Sequence, residues 1–598
     1  MEEIRIFCEN DGAYHKVAPG TDLHALSDMT ARSVYDDKSG TELPVLAALV
    51  DNRLKELEFK IMMPHTIRFI GYNHPDGRRT YVRSLCFVLR NAVKELYPDK
   101  VLGIDYSLPS GLYCEIHERK DKEDGRPSIY YITDEEIERL KCKMQEIISR
   151  DLPFRKIKMT FDEVQKIFMD SGQDDKAQLL SSLGHYTYSV YILDKEVDTF
   201  YGPLVPSTGY LQVFDLMGFS NGFCLQFPAE GNVGKVMPMK RQSKLAATLK
   251  EYADWCAILG VKGVGTLNKS ITSGRAVELI NLSEALHERK YADIADQINQ
   301  QRGRLKIVFI AGPSSSGKTS SSKRLAIQCK VVGLNPKVIE LDNYFVDREK
   351  TPKDENGEYD FESLGAMDLE LLNRQLNELL EGRQVELPRF DFKEGRRRFE
   401  GDFMQLKEND ILIMEGIHAL NPAMTSAVDD SHIFRVYASA LTSLSLDENN
   451  NISTSDNRLL RRIVRDNRVR GVTPEETIMR WHSVRRGENR NIFPFQENAD
   501  VAFNSALIFE LPMLKYFAEP LLRRILPTSK AYTEAVRLLK FLDYIVALSP
   551  DEIEAIPPTS IMREFIGGQR LQREQEPLPN TVERTTGTEP VHLLHLTT

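Results

Sequence analysis

The sequence predicts a multidomain chain combining α/β and α+β units, in which a parallel sheet flanked by helices follows a small β-rich module and an α+β domain. Three observations predict it. The chain has 598 residues, which at roughly 150 per domain points to three or four folding units. Between 305 and about 527 apolar strand-like runs alternate with helical ones, the pattern of a parallel sheet covered by helices. Residues 1–62 instead give short alternating runs, Ile4 to Phe7 and Leu57 to Ile61, around turns at Pro19-Gly20 and Asp36-Asp37-Lys38.

Composition narrows the function classes. Hydrophobic residues make up 41% and charged residues 28% of the chain, enough apolar material for several cores and far from the signature of disorder. No run approaches 18 apolar residues and the first residues lack the basic-then-apolar layout of a secretion signal, so a cytoplasmic protein without a membrane partner is expected. The seven cysteines are scattered and form no CxxC pair, which suggests neither a disulfide framework nor a structural zinc site. A net charge of −10 argues against a protein that coats nucleic acid as a whole, although a local basic surface stays open.

Taken in order, the expected units are 1–62 (β-rich module), 63–235 (α+β), 236–304 (helical connector), 305–530 (parallel α/β), 531–568 (C-terminal helices) and 569–598 (flexible tail). The α+β assignment rests on a strand-like run from Tyr186 to Leu193 and a helical pattern from Val82 to Leu96, with a polar stretch from Glu118 to Arg126. In the connector Leu245, Leu249, Tyr252 and Ala253 share one stripe, a second helical run spans Arg275 to Gln301, and 260–274 reads as a turn. The expected strands of the α/β unit are Leu305–Ala311, Lys337–Leu341, Ile411–Met414, Ile433–Tyr437 and Asp500–Asn504. Ser549-Pro550-Asp551-Glu552 is a capping-box helix start with proline at the first helical position.

The firmest motif is Gly312-Pro313-Ser314-Ser315-Ser316-Gly317-Lys318-Thr319, which fits GxxxxGK[ST] between an apolar strand and the helix-forming run Ser320 to Lys330. Glycines let such a loop curl so that backbone N–H groups point at phosphate oxygens, with a helix N-terminus behind them. Lys318 brings a mobile point charge to the β- and γ-phosphates, and the Thr319 hydroxyl suits magnesium. ATP and Mg2+ are the expected cofactors, with Gly312, Ser314, Ser315, Ser316, Gly317, Lys318, Thr319 and Ser320 as the phosphate-binding set. No guanine-reading Asn-Lys-x-Asp follows the loop, which disfavours a switch GTPase.

Two acids are expected at the carboxyl edge of the sheet, where open α/β folds bind ligands. Asp342 follows the second strand and is placed to accept a hydroxyl proton, with a turn-forming Asp as the plainer reading. Glu415 follows the strand Ile411 to Met414, a usual place for an acid that holds magnesium. Ten arginines and no lysine lie between Arg458 and Arg490, and Arg458, Arg462 and Arg465 fall on one helical face. Guanidinium forks suit phosphate oxygens, so this helix is expected to close over the transferring group, the rival being a solvated or RNA-binding basic face.

From Phe309 to Leu526 the chain resembles the uridine kinase and phosphoribulokinase family. The resemblance is carried by the loop, Leu341-Asp342-Asn343-Tyr344-Phe345, Tyr359-Asp360-Phe361-Glu362 with Ala366-Met367-Asp368, Leu387-Pro388-Arg389-Phe390-Asp391-Phe392, and Met414-Glu415-Gly416-Ile417. Arg461 to Asp466 with Arg470-Gly471 resembles the lid, and Asn498-Ala499-Asp500-Val501 the last strand. The resemblance implies a P-loop kinase in which Asp342, Lys318 and Arg465 are catalytic and Asp342 is the general base. It implies Arg465 and Arg470 on ATP phosphates, an acceptor site of Asp342, Tyr344, Glu362, Phe390 and Arg462, and magnesium on Thr319 and Glu415. Phe390 stands where uridine kinases present a tyrosine to the pyrimidine and Gly395 where a histidine is expected, which puts the base specificity in question.

The first 230 residues resemble the amino-terminal part of threonyl-tRNA synthetases, a TGS-type β-grasp module followed by an editing-like second additional domain, best over Lys100 to Tyr113 and Tyr201 to Tyr210. The synthetases carry an HxxxH and CxxxH ligand cluster there, and the matching positions hold Thr80, Ser84, Phe200 and Leu204. Hydroxyl, phenyl and isobutyl groups cannot replace two imidazoles and a thiolate, so no zinc site and no editing are expected, leaving a binding, regulatory or oligomerisation role. His74 and Cys114-Glu115-Ile116-His117 are read as solvated or core residues. The sequence thus supports a nucleoside-type kinase, with an RNA- or ribosome-associated P-loop ATPase as the alternative, and leaves RNA contact and homo-oligomerisation open.

Overall fold

The computed structural model describes residues 3–571 apart from 37–39, 120–127, 230, 240–241, 354–356, 358, 392–393 and 443. Residues 572–598 of the expected tail, Asp37 and Lys38 of the first turn, Lys120 to Arg126 of the polar stretch and Phe392 lie outside the described residues. Among the described residues no helix is long and apolar enough to cross a membrane.

The α/β unit is built on five parallel strands in the spatial order Asn335–Glu340, Asp410–Glu415, Ile307–Ala311, Ile433–Ser439, Val501–Asn504. Ile307–Ala311 lies centrally and is buried throughout, as its uninterrupted apolar run demands of a strand covered on both faces. Because all five strands run the same way, the loop after Ala311, Asp342 and Glu415 emerge at one edge of the sheet. The segment Val385–Asp391 forms a hairpin with Arg396–Met404 rather than a strand of this sheet.

The connector packs into this unit. Its helices Ser243–Ile258, Val264–Thr272 and Ala276–Asn299 share one apolar core with the sheet and with the C-terminal helices, a core that includes Tyr291, Ile294 and Ile298 as well as Val308, Ile310 and Leu325. Arg324, fully buried, donates to Glu284 at 3.0 Å and Glu288 at 2.6 Å, and Tyr291 donates to Ser321 at 2.9 Å. The stretch 260–274, expected as a turn, holds the helix Val264–Thr272: its glycines suggest a loop, but Val264, Leu267 and Ile271 recur at helical spacing and are buried.

In the amino-terminal module the sheet order is Ala13–Val17, Ile4–Cys8, Thr66–Ile70, Ala47–Val50, Arg53–Lys55. Its central strand is therefore Thr66–Ile70, past the expected boundary at 62, whereas Leu57 to Ile61 contributes only an isolated bridge between Asp22 and Lys60. The next domain sets the long helix Pro75–Leu96 against a sheet containing Lys100–Leu108, Gly111–Glu118, Asp215–Phe219 and Gly222–Gln226. It is joined to the α/β unit through buried polar groups: Lys176, fully buried, pairs with Asp198 and lies 3.4 Å from Asp447, while Glu448 and Asn449 bond the backbone of Ile104 and Leu102 at 2.8 and 3.0 Å.

Candidate nucleotide and phosphoryl-transfer site

The phosphate loop is wound by left-handed residues, Ser315 at φ 60° and Gly317 at φ 82°. Two of its glycines are fixed by close approach. A Cβ on Gly312 would sit 1.9 Å from the Ala438 carbonyl oxygen, and one on Gly317 would sit 2.6 Å from Ile561 Cγ2. The helix Lys318–Val331 then starts at the loop, bringing Lys318, Thr319 and Ser320 to its first turn.

Behind the loop three carboxylates converge on Lys318. Thr319 Oγ1 donates to Glu415 Oε1 at 2.5 Å. Burial pushes the Glu415 carboxyl up to about 7, with Lys318 opposing and the Asp342 charge adding to the rise. Burial likewise raises Asp342 to about 6, against the pull of the Lys318 ammonium. Glu362 is raised to about 7 by burial and the neighbouring Glu488 charge, and Arg462 and Lys318 oppose it. Each acid sits near the middle of the physiological range, where a carboxyl exchanges protons readily.

The arginine-rich segment divides in two. Arg458 and Arg461, both buried, are structural: Arg458 pairs with Glu488 and donates to the Ser314 carbonyl at 3.0 Å, while Arg461 pairs with Glu510 and donates to the Ser505 carbonyl at 2.9 Å. Arg458 therefore braces the loop and does not face a transferring group, contrary to its place on the predicted arginine face. Arg462 does face the loop, donating to Ser314 Oγ at 2.8 Å. Helix Thr454–Arg465 ends in a π-turn at Asp466–Arg470, and Asp466 gathers Arg462, Arg465 and Arg470 at 3.2, 3.1 and 3.4 Å. These three guanidinium groups are thus pre-ordered on one carboxylate.

Two expected acceptor residues lie elsewhere. Tyr344 is 1% exposed and donates to Gln375 Oε1 at 2.9 Å, because the short 3₁₀ turn Leu341–Tyr344 rotates it inward. It supports the loop bearing Asp342 from beneath. Phe390 is nearly buried, its ring edge-on to Phe345 at 5.7 Å. At Gly395, with φ 69°, a Cβ would lie 2.7 Å from Arg348 Nε, so no histidine-like side chain fits there.

Sequence reasoning missed two contributors. Glu488 accepts from the Ser314 amide at 3.0 Å, yet nothing in its charge-rich helix distinguishes it. The C-terminal helix Met562–Ile566 places Glu564 against the loop: Ser320 Oγ donates to it at 2.6 Å, Gln569 donates to Ser320 at 2.7 Å, and Arg465 lies 3.8 Å from the second Glu564 oxygen.

The four positions of the synthetase-type cluster come together in the second domain. Thr80 and Ser84 on the long helix are fully buried, the Val205 amide donates to Ser84 Oγ at 2.9 Å, Leu204 is buried beside them, and Phe200 packs on Phe87 at 5.5 Å.

Comparison with known proteins divides the chain in the same way. Residues 307–508 match the sequence model described as the Phosphoribulokinase / Uridine kinase family. The N-terminal region is similar to threonine–tRNA ligases, at 27% identity with that of Carboxydothermus hydrogenoformans, covering 30% of this chain and 27% of the ligase, and at 26% identity with that of Thermotoga neapolitana, covering 42% and 40%. The chain therefore spans well under half the length of these curated relatives. Among solved structures, a possible uridine kinase from Bacillus stearothermophilus is 20% identical, covers 36% of this chain and 98% of its own, and has a TM-score of 0.25.

Proposed function

We propose that this chain, whose residues 307–508 fall in the phosphoribulokinase and uridine kinase family, transfers the terminal phosphoryl group of ATP to a hydroxyl of a nucleoside-type small molecule. The observation that carries the reading is the grouping of Lys318, Asp342 and Glu415 at one sheet edge beside the phosphate loop.

The residues fit a magnesium-bound triphosphate: the loop curls through Ser315 and Gly317, and Thr319 Oγ1 and Glu415 Oε1 stand 2.5 Å apart at its base. Magnesium held there by Thr319 and Glu415 supplies neutralisation of phosphate charge. Lys318 provides the mobile cation on the phosphate side. Asp342, ionised, takes the proton from the acceptor hydroxyl as the acceptor oxygen attacks the terminal phosphorus in line, the bond from that phosphorus to the bridging oxygen breaks and ADP leaves. Glu362 orients the acceptor, and Arg462, Arg465 and Arg470 exchange Asp466 for phosphate oxygens as the lid closes, excluding water. Tyr344 and Phe390 shape the acceptor side from the core.

Incubation with terminally labelled ATP, magnesium and a panel of nucleosides and other hydroxyl acceptors tests this. A labelled nucleoside monophosphate is the expected product. Label appearing only as inorganic phosphate, and faster with RNA, would replace the kinase reading with that of an RNA-associated ATPase.

A further inference from the structure

On the face of the second domain that meets the connector, Asp105, Glu115 and His117 bring two carboxylate oxygens and an imidazole nitrogen within 4.8 Å of one another. Their convergence has a backbone cause. Lys100–Leu108 pairs antiparallel with Gly111–Glu118, and the register shifts between Ile104 and Tyr106, so that Asp105 is the extra residue of a bulge. A bulge re-aims one side chain of a strand, here toward the face where Glu115 and His117 stand at alternate positions. Gly103, paired with Glu115, opens the space between donors: a Cβ there would lie 2.7 Å from His117 Nε2 and 3.2 Å from Asp105 Oδ1.

Glu115, 5% exposed, accepts from Tyr113 at 2.5 Å, and Lys250 of the connector helix lies 3.8 Å from it. Lys250 and the His117 imidazole thus stand near two carboxylates, and among the described residues no hydrogen bond or ion pair is made to the Asp105 carboxylate. Such a pair is stabilised by a proton or by a cation.

We propose that Asp105, Glu115 and His117 form a site for a divalent transition cation of the Zn2+ or Mn2+ type, separate from the nucleotide magnesium. One imidazole with two carboxylates is a donor set these ions accept, whereas hard cations favour oxygen alone. The site lies at the domain joint: Ser445 Oγ donates to the Asp105 carbonyl at 3.2 Å and the Ile104 amide donates to the Glu448 carbonyl at 2.8 Å. A bound cation braces the second domain against the kinase.

Chelator-treated full-length protein, free of nucleotide, is titrated calorimetrically with ZnCl2 and with MnCl2, and retained metal is counted by elemental analysis. One cation per chain is expected. Affinity should fall at least about tenfold in Asp105→Asn and in Gly103→Ala, which keeps every donor but fills the space between them. Cys142→Ser, removing the exposed thiol, and Glu415→Gln should leave it unchanged. Circular dichroism of each metal-free variant monitors folding, and Gly103→Ala and Asp105→Asn are read separately so that one misfolded variant does not decide the matter. Absence of nucleotide-independent binding, or wild-type affinity in a folded Asp105→Asn or Gly103→Ala, would overturn the site. Neither result bears on phosphoryl transfer, which is measured with ATP and magnesium alone.

Discussion

In the α/β unit, Lys318, Asp342, Glu362 and Glu415 face one another behind the phosphate loop. In the second domain, Thr80, Ser84, Phe200 and Leu204 meet where a long helix crosses a loop, and none of the four carries a charge or a metal-binding nitrogen. Both junctions are made of buried or half-buried residues. They differ in what the packing is spent on: the first holds carboxylates at proton affinities well away from their resting values, which is unfavourable for folding and useful for proton transfer. The second buries two hydroxyls, of which Ser84 donates to the Thr80 carbonyl at 2.8 Å while Thr80 Oγ1 has no hydrogen-bond partner among the described residues. A likeness to synthetases does not by itself bring their chemistry, which lives in particular side chains.

The comparison breaks most sharply at Asp342. Asp342→Asn should lower turnover by about two to four decades with ATP affinity nearly unchanged, read by steady-state kinetics alongside calorimetry. The pH profile gives a second reading. Asp342 acts as a base only when ionised, and burial lifts it to about 6, so kcat/KM should decline on the acid side below that pH. The decline approaches a factor of about ten per pH unit. A profile flat to pH 5 would remove Asp342 from the proton transfer.

Stability changes come next, and they separate the loop from the domain joint. Glu488→Gln leaves the buried Arg458 without its counter-charge beside the Ser314 carbonyl, and Lys176→Met leaves Asp198 and Asp447 facing each other with Arg90, 3.4 Å from Asp198, as the remaining cation. Each should cost about 3–5 kcal/mol, seen as a lowered denaturation midpoint. They should part in activity measured below the melting range: Glu488→Gln loosens the loop and weakens nucleotide binding, whereas Lys176→Met leaves kcat intact. Equal loss of nucleotide affinity in both would mean that the joint and the loop are one cooperative device. Ser84→Ala is milder, about 1–3 kcal/mol for stranding the Val205 amide, and should change neither phosphoryl transfer nor hydrolysis of a misacylated tRNA. Any hydrolysis that disappears in this variant would restore an active site to the second domain.

What the sequence disclosed follows from how local each signal is. The phosphate loop and the acids after two strands were legible because their spacing is contiguous and the alternation of strands and helices fixes which sheet edge they share. Tyr344 was misplaced because one 3₁₀ turn decides whether it faces solvent or Gln375, and that rotation leaves no periodic trace. Arg458 and Arg462 share a helical face, yet only the tertiary partner Glu488 makes the first a brace and leaves the second beside Ser314 Oγ. The bulge at Asp105 and the docking of Met562–Ile566 on the loop depend on pairings across strands and across the length of the chain, which composition and period do not encode.

The smallest expected effect lies in that C-terminal contact. Glu564 engages Ser320 Oγ with one oxygen and approaches Arg465 with the other, so a carboxylate occupies two groups expected to serve nucleotide phosphates. A negative charge beside a phosphate-binding loop opposes an anionic ligand, and the partners it holds must be released before they bind phosphate. Removing the charge while keeping the shape, as Glu564→Gln does, should therefore tighten binding of magnesium–ATP by about threefold to tenfold, with kcat little altered, since Glu564 contacts neither Asp342 nor Lys318. The gain should shrink at high salt, where the repulsion is screened. Weaker nucleotide binding in this variant would reverse the assignment, making Glu564 an organiser of Ser320 and Arg465. The C-terminal helix would then belong to the catalytic unit as a wall of the nucleotide site.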